Sequence, residues 1–292
     1  MNTVFAREAK TLLPLFPALR FIGPGFRRGD SRGPQGFPSR PPHVTQWPSA
    51  GEGPFLQIPT NPALHILFDL LAWGSAGLLA HLLYRWRLRP VAARFVGVTG
   101  PAYVAALALG AIGGAWAFGS WNTALMAVPH PSHSIAGALA GGIVGVELYK
   151  LARGIRASTG LIWVGPLALG IAVGRIGCLL AGLPDETYGV PTSLPWGVDL
   201  GDGVARHPVQ VYESLAMLAF LAVYLAALAR RAAWTQTRAF YLFVLCYAVQ
   251  RFVWEFLKPY PRVIGPFDLF HLLAAGMIAY ALIFDARARH QR

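Results

Sequence analysis

Between residues 64 and 284 the chain runs through seven hydrophobic stretches, each close to the roughly 20 residues an α-helix needs to cross a bilayer. They lie at about 64–84, 95–118, 134–152, 161–182, 209–229, 239–257 and 266–284. Backbone amides find no water at bilayer depth, so a chain with this pattern must satisfy its own hydrogen bonds, and helices do so. Composition agrees, with 55% hydrophobic and 13% charged residues, where a soluble domain carries about 25% charge. The expected class is an all-α polytopic membrane protein of about seven spans, with a loop insertion between spans four and five.

The connections alternate in charge. Arg85, Arg87, Arg89 and Arg94 follow the first span, and Lys150, Arg153 and Arg156 the third. Arg230, Arg231 and Arg238 follow the fifth, and Arg287, Arg289 and Arg292 the seventh. The positive-inside rule then predicts a cytoplasmic C-terminus, an external N-terminus and a periplasmic loop after span four. The formal net charge of +12 sits in these short clusters, a pattern that faces anionic lipid and not nucleic acid. Cys178 and Cys246 both lie in apolar runs without CxxC spacing, so neither a zinc site nor a disulfide framework is expected. Residues 1–60 are rich in Pro, Gly, Arg and Ser, which predicts a disordered tail with no clean signal-peptide layout. The same composition suits a stretch ahead of the true start codon. Residues 61–292 form the expected membrane domain.

Charge at bilayer depth marks function by default. Residues 174–213, GRIGCLLAGLPDETYGVPTSLPWGVDLGDGVARHPVQVYE, open as an apolar run that carries Arg175 between Gly174 and Gly177. A guanidinium there needs a carboxylate, a carbonyl or a phosphate, for which its planar fork is suited; the rival reading is a salt bridge between helices. In the sixth span Tyr247, Arg251 and Glu255 recur at i, i+4, i+8 and form one polar stripe. Arg251 and Glu255 either neutralise each other or, facing Arg175, make an anion site. Trp254, Lys258 and Tyr260 read as interfacial anchors. The loop acids Asp185, Glu186, Asp199 and Asp202 alternate with Gly and Pro in a turn-rich, short-stranded pattern and lack calcium-loop spacing. Arg206-His207-Pro208 leads into the fifth span, with Pro208 fit for its first turn and His207 either a general base or a cap. Gly137, Gly141 and Gly145 repeat a GxxxG step, a face for close helix packing or for a lipid chain.

Together GRIG (174–177), Tyr188-Gly189 with PTSLPWGV (191–198), RHPVQVYE (206–213) and the Tyr247/Arg251/Glu255 helix resemble the prolipoprotein diacylglyceryl transferase family, over about residues 60–285. The resemblance implies a multi-pass enzyme of the bacterial inner membrane that moves the diacylglyceryl group of phosphatidylglycerol onto the lipobox cysteine of a prolipoprotein. No metal, nucleotide or other cofactor is implied, and the partners are these two substrates and membrane lipids. It places Arg175 and Arg251 around the lipid phosphate, with Glu255 orienting Arg251 and Glu186 as a functional acid. The resemblance further implies that Tyr247, Gly174, Gly177, Gly189, Arg206 and His207 line the substrate. Two departures stand out. Cys178 occupies the place of an asparagine common in the family, and Ala136 that of the family's catalytic histidine. His133 lies three residues before Ala136, and His65 and Asp69 form an i, i+4 pair in the first span. A diverged member acting on another lipid or acceptor, and a non-catalytic lipid binder, are the alternatives.

Overall fold

A computed structural model describes residues 56–290. Helix α1 (Ala63–Leu83) continues through a π turn at Tyr84–Leu88 into the short α2 (Arg89–Ala93). Then come α3 (Pro101–Ala124), α4 (Ile135–Ala152), α5 (Val164–Ala181), α6 (Val209–Ala229), α7 (Ala239–Glu255) and α8 (Leu269–His290). Among the described residues six helices are long and apolar enough to cross a membrane. Helix α7, at 17 residues, falls just short of that length and carries Arg251 and Glu255.

Capping chemistry explains where the helices depart from the hydropathy pattern. The second long helix was expected from residue 95, but Phe95–Thr99 tightens into turns, with Val98 N donating to Phe95 O at 2.9 Å. Extended Gly100 and then Pro101 set the helix start, because proline fits a first turn where no amide partner exists. Helix α8 begins at Leu269, three residues later than expected. Asp268 Oδ1 accepts the amides of Phe270 and His271 at 3.0 Å each, and the helix runs on to Arg287, Arg289 and His290 near its negative C-terminal pole. Ser134 caps α4 by accepting from Gly137 N at 3.2 Å. His133 therefore precedes the helix and is not one helical turn from Ala136 along it; it is exposed against Trp116.

Glycines decide how α3 meets α4. A Cβ on Gly141 would strike the Gly110 carbonyl oxygen, and one on Gly137 the Gly114 carbonyl. The GxxxG face is used for backbone-to-backbone packing, not as a lipid groove. Helix α5 is the most enclosed of the six. Gly177 packs on Phe68 of α1, and Ser214 Oγ of α6 donates to Ala172 O at 2.8 Å. Val164, Ala168, Met217, Tyr224, Phe243 and Tyr247 form the centre of the core.

The segment after α5 is folded, not loose. A 3₁₀ turn at Leu183–Asp185 is followed by β2 (Val198–Asp199) and β3 (Ala205–Arg206), which pair antiparallel. Strand β1 (Leu56–Gln57) adds to β2 in parallel. Of the tail expected to be disordered, residues 1–55 lie outside the described residues, while residues 56–60 join this sheet and its approach to α1. Asp199 Oδ1 accepts the amides of Gly201, Asp202 and Gly203 at 2.8–3.1 Å. The positive φ of Gly201 and Gly203, 104° and 76°, is what the turn requires. A small hairpin, β4 (Arg262–Ile264) with β5 (Phe267–Asp268), leads into α8. Asn61 N donates to Leu180 O at 2.8 Å, so the start of α1 and the end of α5 share one end of the helices with this segment.

Candidate functional site

Five ionic side chains converge at that end, between α5, α6, α7 and the turn after α7. Glu213 of α6, 1% exposed, is the hub. Arg175 Nε contacts its Oε2, Arg251 Nη1 donates to its Oε1 at 2.7 Å, and Lys258 Nζ donates to the same oxygen at 2.8 Å. Arg251 Nε lies 2.8 Å from Glu255 Oε2, with Lys258 Nζ 3.9 Å from that oxygen. All five are buried. Within these ion pairs three cationic side chains face two carboxylates, an excess of one.

Local structure explains the convergence. Arg251 and Glu255 are one turn apart on α7, the spacing that lets an i, i+4 pair meet. Glu213 and Gln210 share the buried face of α6 in its first turns. Pro208 is the residue immediately before the helix, whose first residue is Val209, and no side chain caps it. Small residues on α5 let α1 close over Arg175: a Cβ on Gly174 would lie 4.0 Å from Ala72 Cβ, and one on Gly177 would strike Phe68. Tyr247 Oη is buried beside Arg175 and Arg251 and has no hydrogen-bond partner among the described residues.

The other residues singled out in the sequence fall into separate places. Glu186 does not reach the arginines. Its carboxylate, 40% exposed, ion-pairs with His130 Nε2 at 3.2 Å, and its backbone is left-handed with φ 56°. Arg206 is held by Asp202 through two bonds of 2.6 and 2.7 Å and lies over the Tyr188 ring, so it braces the short sheet. His207 sits 3.4 Å from Tyr212 Oη, and partial burial lowers its pKa below the ordinary imidazole range. It neither caps α6 with its side chain nor enters the arginine network. Gly189 permits the close approach of its own strand segment to His207, whose Cβ would lie 2.8 Å from a Cβ at this position.

Two residues read as interfacial anchors are instead interior. Lys258 is 1% exposed and belongs to the network; Tyr260 is buried and donates from its hydroxyl to Glu186 O at 3.1 Å. Both follow α7 into a turn that folds back over the helix end, which hydropathy alone does not register. Glu213 was visible in RHPVQVYE but not selected. Its signal is a carboxylate on an apolar helix in a sequence where Arg175 has no assigned counter-ion.

A second polar corner adjoins Arg175. The pair expected at His65 and Asp69 forms, Nδ1 to Oδ2 at 3.0 Å. His65 Nε2 also lies 3.0 Å from Asp185 Oδ1 and 3.9 Å from Cys178 Sγ. Burial pushes the Asp185 carboxyl up, but hydrogen bonds from His65 and Thr187 and the charge of Arg175 outweigh it, so its pKa lies below the usual range.

The family model described as prolipoprotein diacylglyceryl transferase matches residues 78–286. That stretch covers the arginine network but begins after His65 and Asp69. A phosphatidylglycerol–prolipoprotein diacylglyceryl transferase of Clostridium tetani is 36% identical over 137 residues, 44% of this chain and 52% of the relative. The same-named proteins of Finegoldia magna and Teredinibacter turnerae are each 32% identical, over 131 and 189 residues. Those matches cover 44% and 60% of this chain, and 50% and 60% of the relatives. The chain thus spans about half the length of the curated relatives it matches. No solved structure matches it.

Proposed function

The chain belongs to the prolipoprotein diacylglyceryl transferase family, and from that premise we propose that it transfers the diacylglyceryl group of phosphatidylglycerol to the lipobox cysteine thiol of prolipoproteins. The observation that carries this reading is the buried network with its excess positive charge. An unbalanced cation away from water is costly, and a phosphodiester monoanion supplies the missing charge. Arg175 and Arg251 are assigned to the phosphate oxygens. Glu213 and Glu255 hold the two guanidinium groups in register, and the unpartnered Tyr247 hydroxyl is assigned to the glycerol head group.

In the reaction the acceptor thiol releases its proton to solvent and its sulfur attacks the glyceryl carbon. The C–O bond to phosphate breaks, its electron pair stays on the phosphate oxygen, and glycerol phosphate leaves with the added negative charge. Arginine donors turned to those oxygens would stabilise the charge as it grows. Glu186, paired with His130, is assigned to the rim of the mouth and not to the phosphate. Gly174 and Gly177 let α1 close over the arginine, and Gly189, Arg206 and His207 shape the loop over the site.

Helix α7 is counted as a seventh span, with the basic ends of α1, α4, α6 and α8 in the cytoplasm and the site at the outer leaflet of a bacterial inner membrane. The test is to incubate the purified chain with phosphatidylglycerol and a lipobox peptide. A diacylglyceryl mass increase on the cysteine peptide, absent with its serine variant and with phosphatidylcholine, is expected. No increase with phosphatidylglycerol, while a family member works alongside, would leave a lipid-binding protein without the activity.

A further inference from the structure

His65, Cys178 and Asp185 come from three separate elements: α1, α5 and the 3₁₀ turn that follows α5. Their Nε2, Sγ and carboxylate oxygen all lie within 4.8 Å of one another, and all three residues are half-buried. Each is oriented through an atom or neighbour outside that cluster. Asp69 Oδ2 holds His65 Nδ1 at 3.0 Å. The Thr187 hydroxyl donates to Asp185 Oδ2, the oxygen turned away from His65. Arg175 Nη1 donates to Cys178 Sγ at 3.7 Å. Metal-bound histidines carry this kind of carboxylate on the second nitrogen, and ligating carboxylates are themselves hydrogen-bonded. A plain ion pair accounts for His65 between two carboxylates but gives no role to a thiol at the same corner.

We propose that His65, Cys178 and Asp185 hold a zinc ion with an open fourth position, and that this position takes the acceptor thiol as a thiolate. Three protein ligands with one open place is the arrangement of catalytic zinc sites, and a thiolate ligand selects zinc over magnesium or calcium. One thiolate and one carboxylate neutralise the dication, so the ion adds no net charge beside Arg175. When an exogenous thiol enters, the S–Zn bond forms and the thiol proton leaves to solvent, with no redox change; a coordinated thiol is deprotonated outright. The role as thiol activator rests on the proposed transferase reading. The zinc site itself stands on its own geometry.

The test uses the full chain in detergent micelles, loaded with zinc against a competing chelator and, separately, with cobalt(II). Wild type should retain one equivalent of zinc, and its cobalt form should show a sulfur-to-cobalt charge-transfer band. His65→Gln and Cys178→Asn should each abolish stoichiometric uptake, and Asp69→Asn should weaken it about 10–100-fold. Adding a lipobox cysteine peptide should intensify the charge-transfer band, and the serine peptide should not. Wild type that takes up no more zinc than His65→Gln, or uptake unchanged in Cys178→Asn, overturns the site. Full-rate transfer by demonstrably metal-free protein overturns the thiol role while leaving the transferase intact. Stoichiometric zinc without any transfer leaves the site standing and removes the transferase.

Discussion

Among the described residues, two clusters in which several cations share carboxylates lie at opposite ends of the helices, and each has one cation in excess within its ion pairs. At the end of α8, Arg238 grips Asp285 through bonds of 2.6 and 2.8 Å, and Arg289 joins the same carboxylate at 2.6 Å. There the excess charge reaches water, since the Arg289 side chain is 62% exposed. In the network around Glu213 every partner is buried. The same arithmetic therefore has different consequences. Solvent disposes of a surplus cation at a surface, whereas a buried one needs a bound anion. Environment, more than residue type, separates a helix tie from a binding site.

The largest effect is expected at Glu213. Glu213→Gln leaves three buried cations with one carboxylate, so it should destabilise the protein by about 3–5 kcal/mol and abolish transfer, read by thermal unfolding in micelles beside the transfer assay. Retained stability would mean that water reaches the network. Next, Arg175→Gln and Arg251→Gln should each lower the transfer rate by about 10²–10³, the usual effect of removing one donor to a developing anion. Full rates in both would reassign the arginines to structural pairing. Asp285→Asn should cost less, about 1.5–3 kcal/mol, since its carboxylate is buried while Arg289 reaches water, and should leave transfer unchanged. High salt separates the clusters last: at 1 M the Debye length is about 3 Å, so salt should reduce the Asp285→Asn difference in melting temperature, through the exposed Arg289, and leave that of Glu213→Gln. Equal salt sensitivity would contradict the burial contrast.

How much of this was legible in the sequence depends on how local each cause is. Six long apolar helices follow from hydropathy, and the Arg251–Glu255 contact follows from one turn of helix. Helix starts at Pro101 and Leu269 depended on caps that a hydropathy window smooths over. Glu213 as a hub and Lys258 as an interior charge arise only when α5, α6 and the turn after α7 meet, and no spacing encodes that. The corner of His65, Cys178 and Asp185 is the extreme case. His65 and Cys178 are 113 positions apart, which is why a search for CxxC-type spacing could not find it. GxxxG was ambiguous for a related reason: a small-residue face says that something approaches, and only the partner, Gly110 and Gly114 of α3, shows what.

Lipid binding by the two clusters is the decisive comparison. Short-chain phosphatidylglycerol should be titrated into micelles of wild type, Arg175→Gln, Arg251→Gln and Arg238→Gln, with phosphatidylcholine as the zwitterionic control. If the buried surplus charge is a phosphate site, the first two variants lose at least about tenfold in affinity, the 1.4 kcal/mol scale of one charged hydrogen bond. Arg238→Gln should bind as wild type does, and phosphatidylcholine should bind weakly throughout. Equal affinity of all four proteins for phosphatidylglycerol would contradict it.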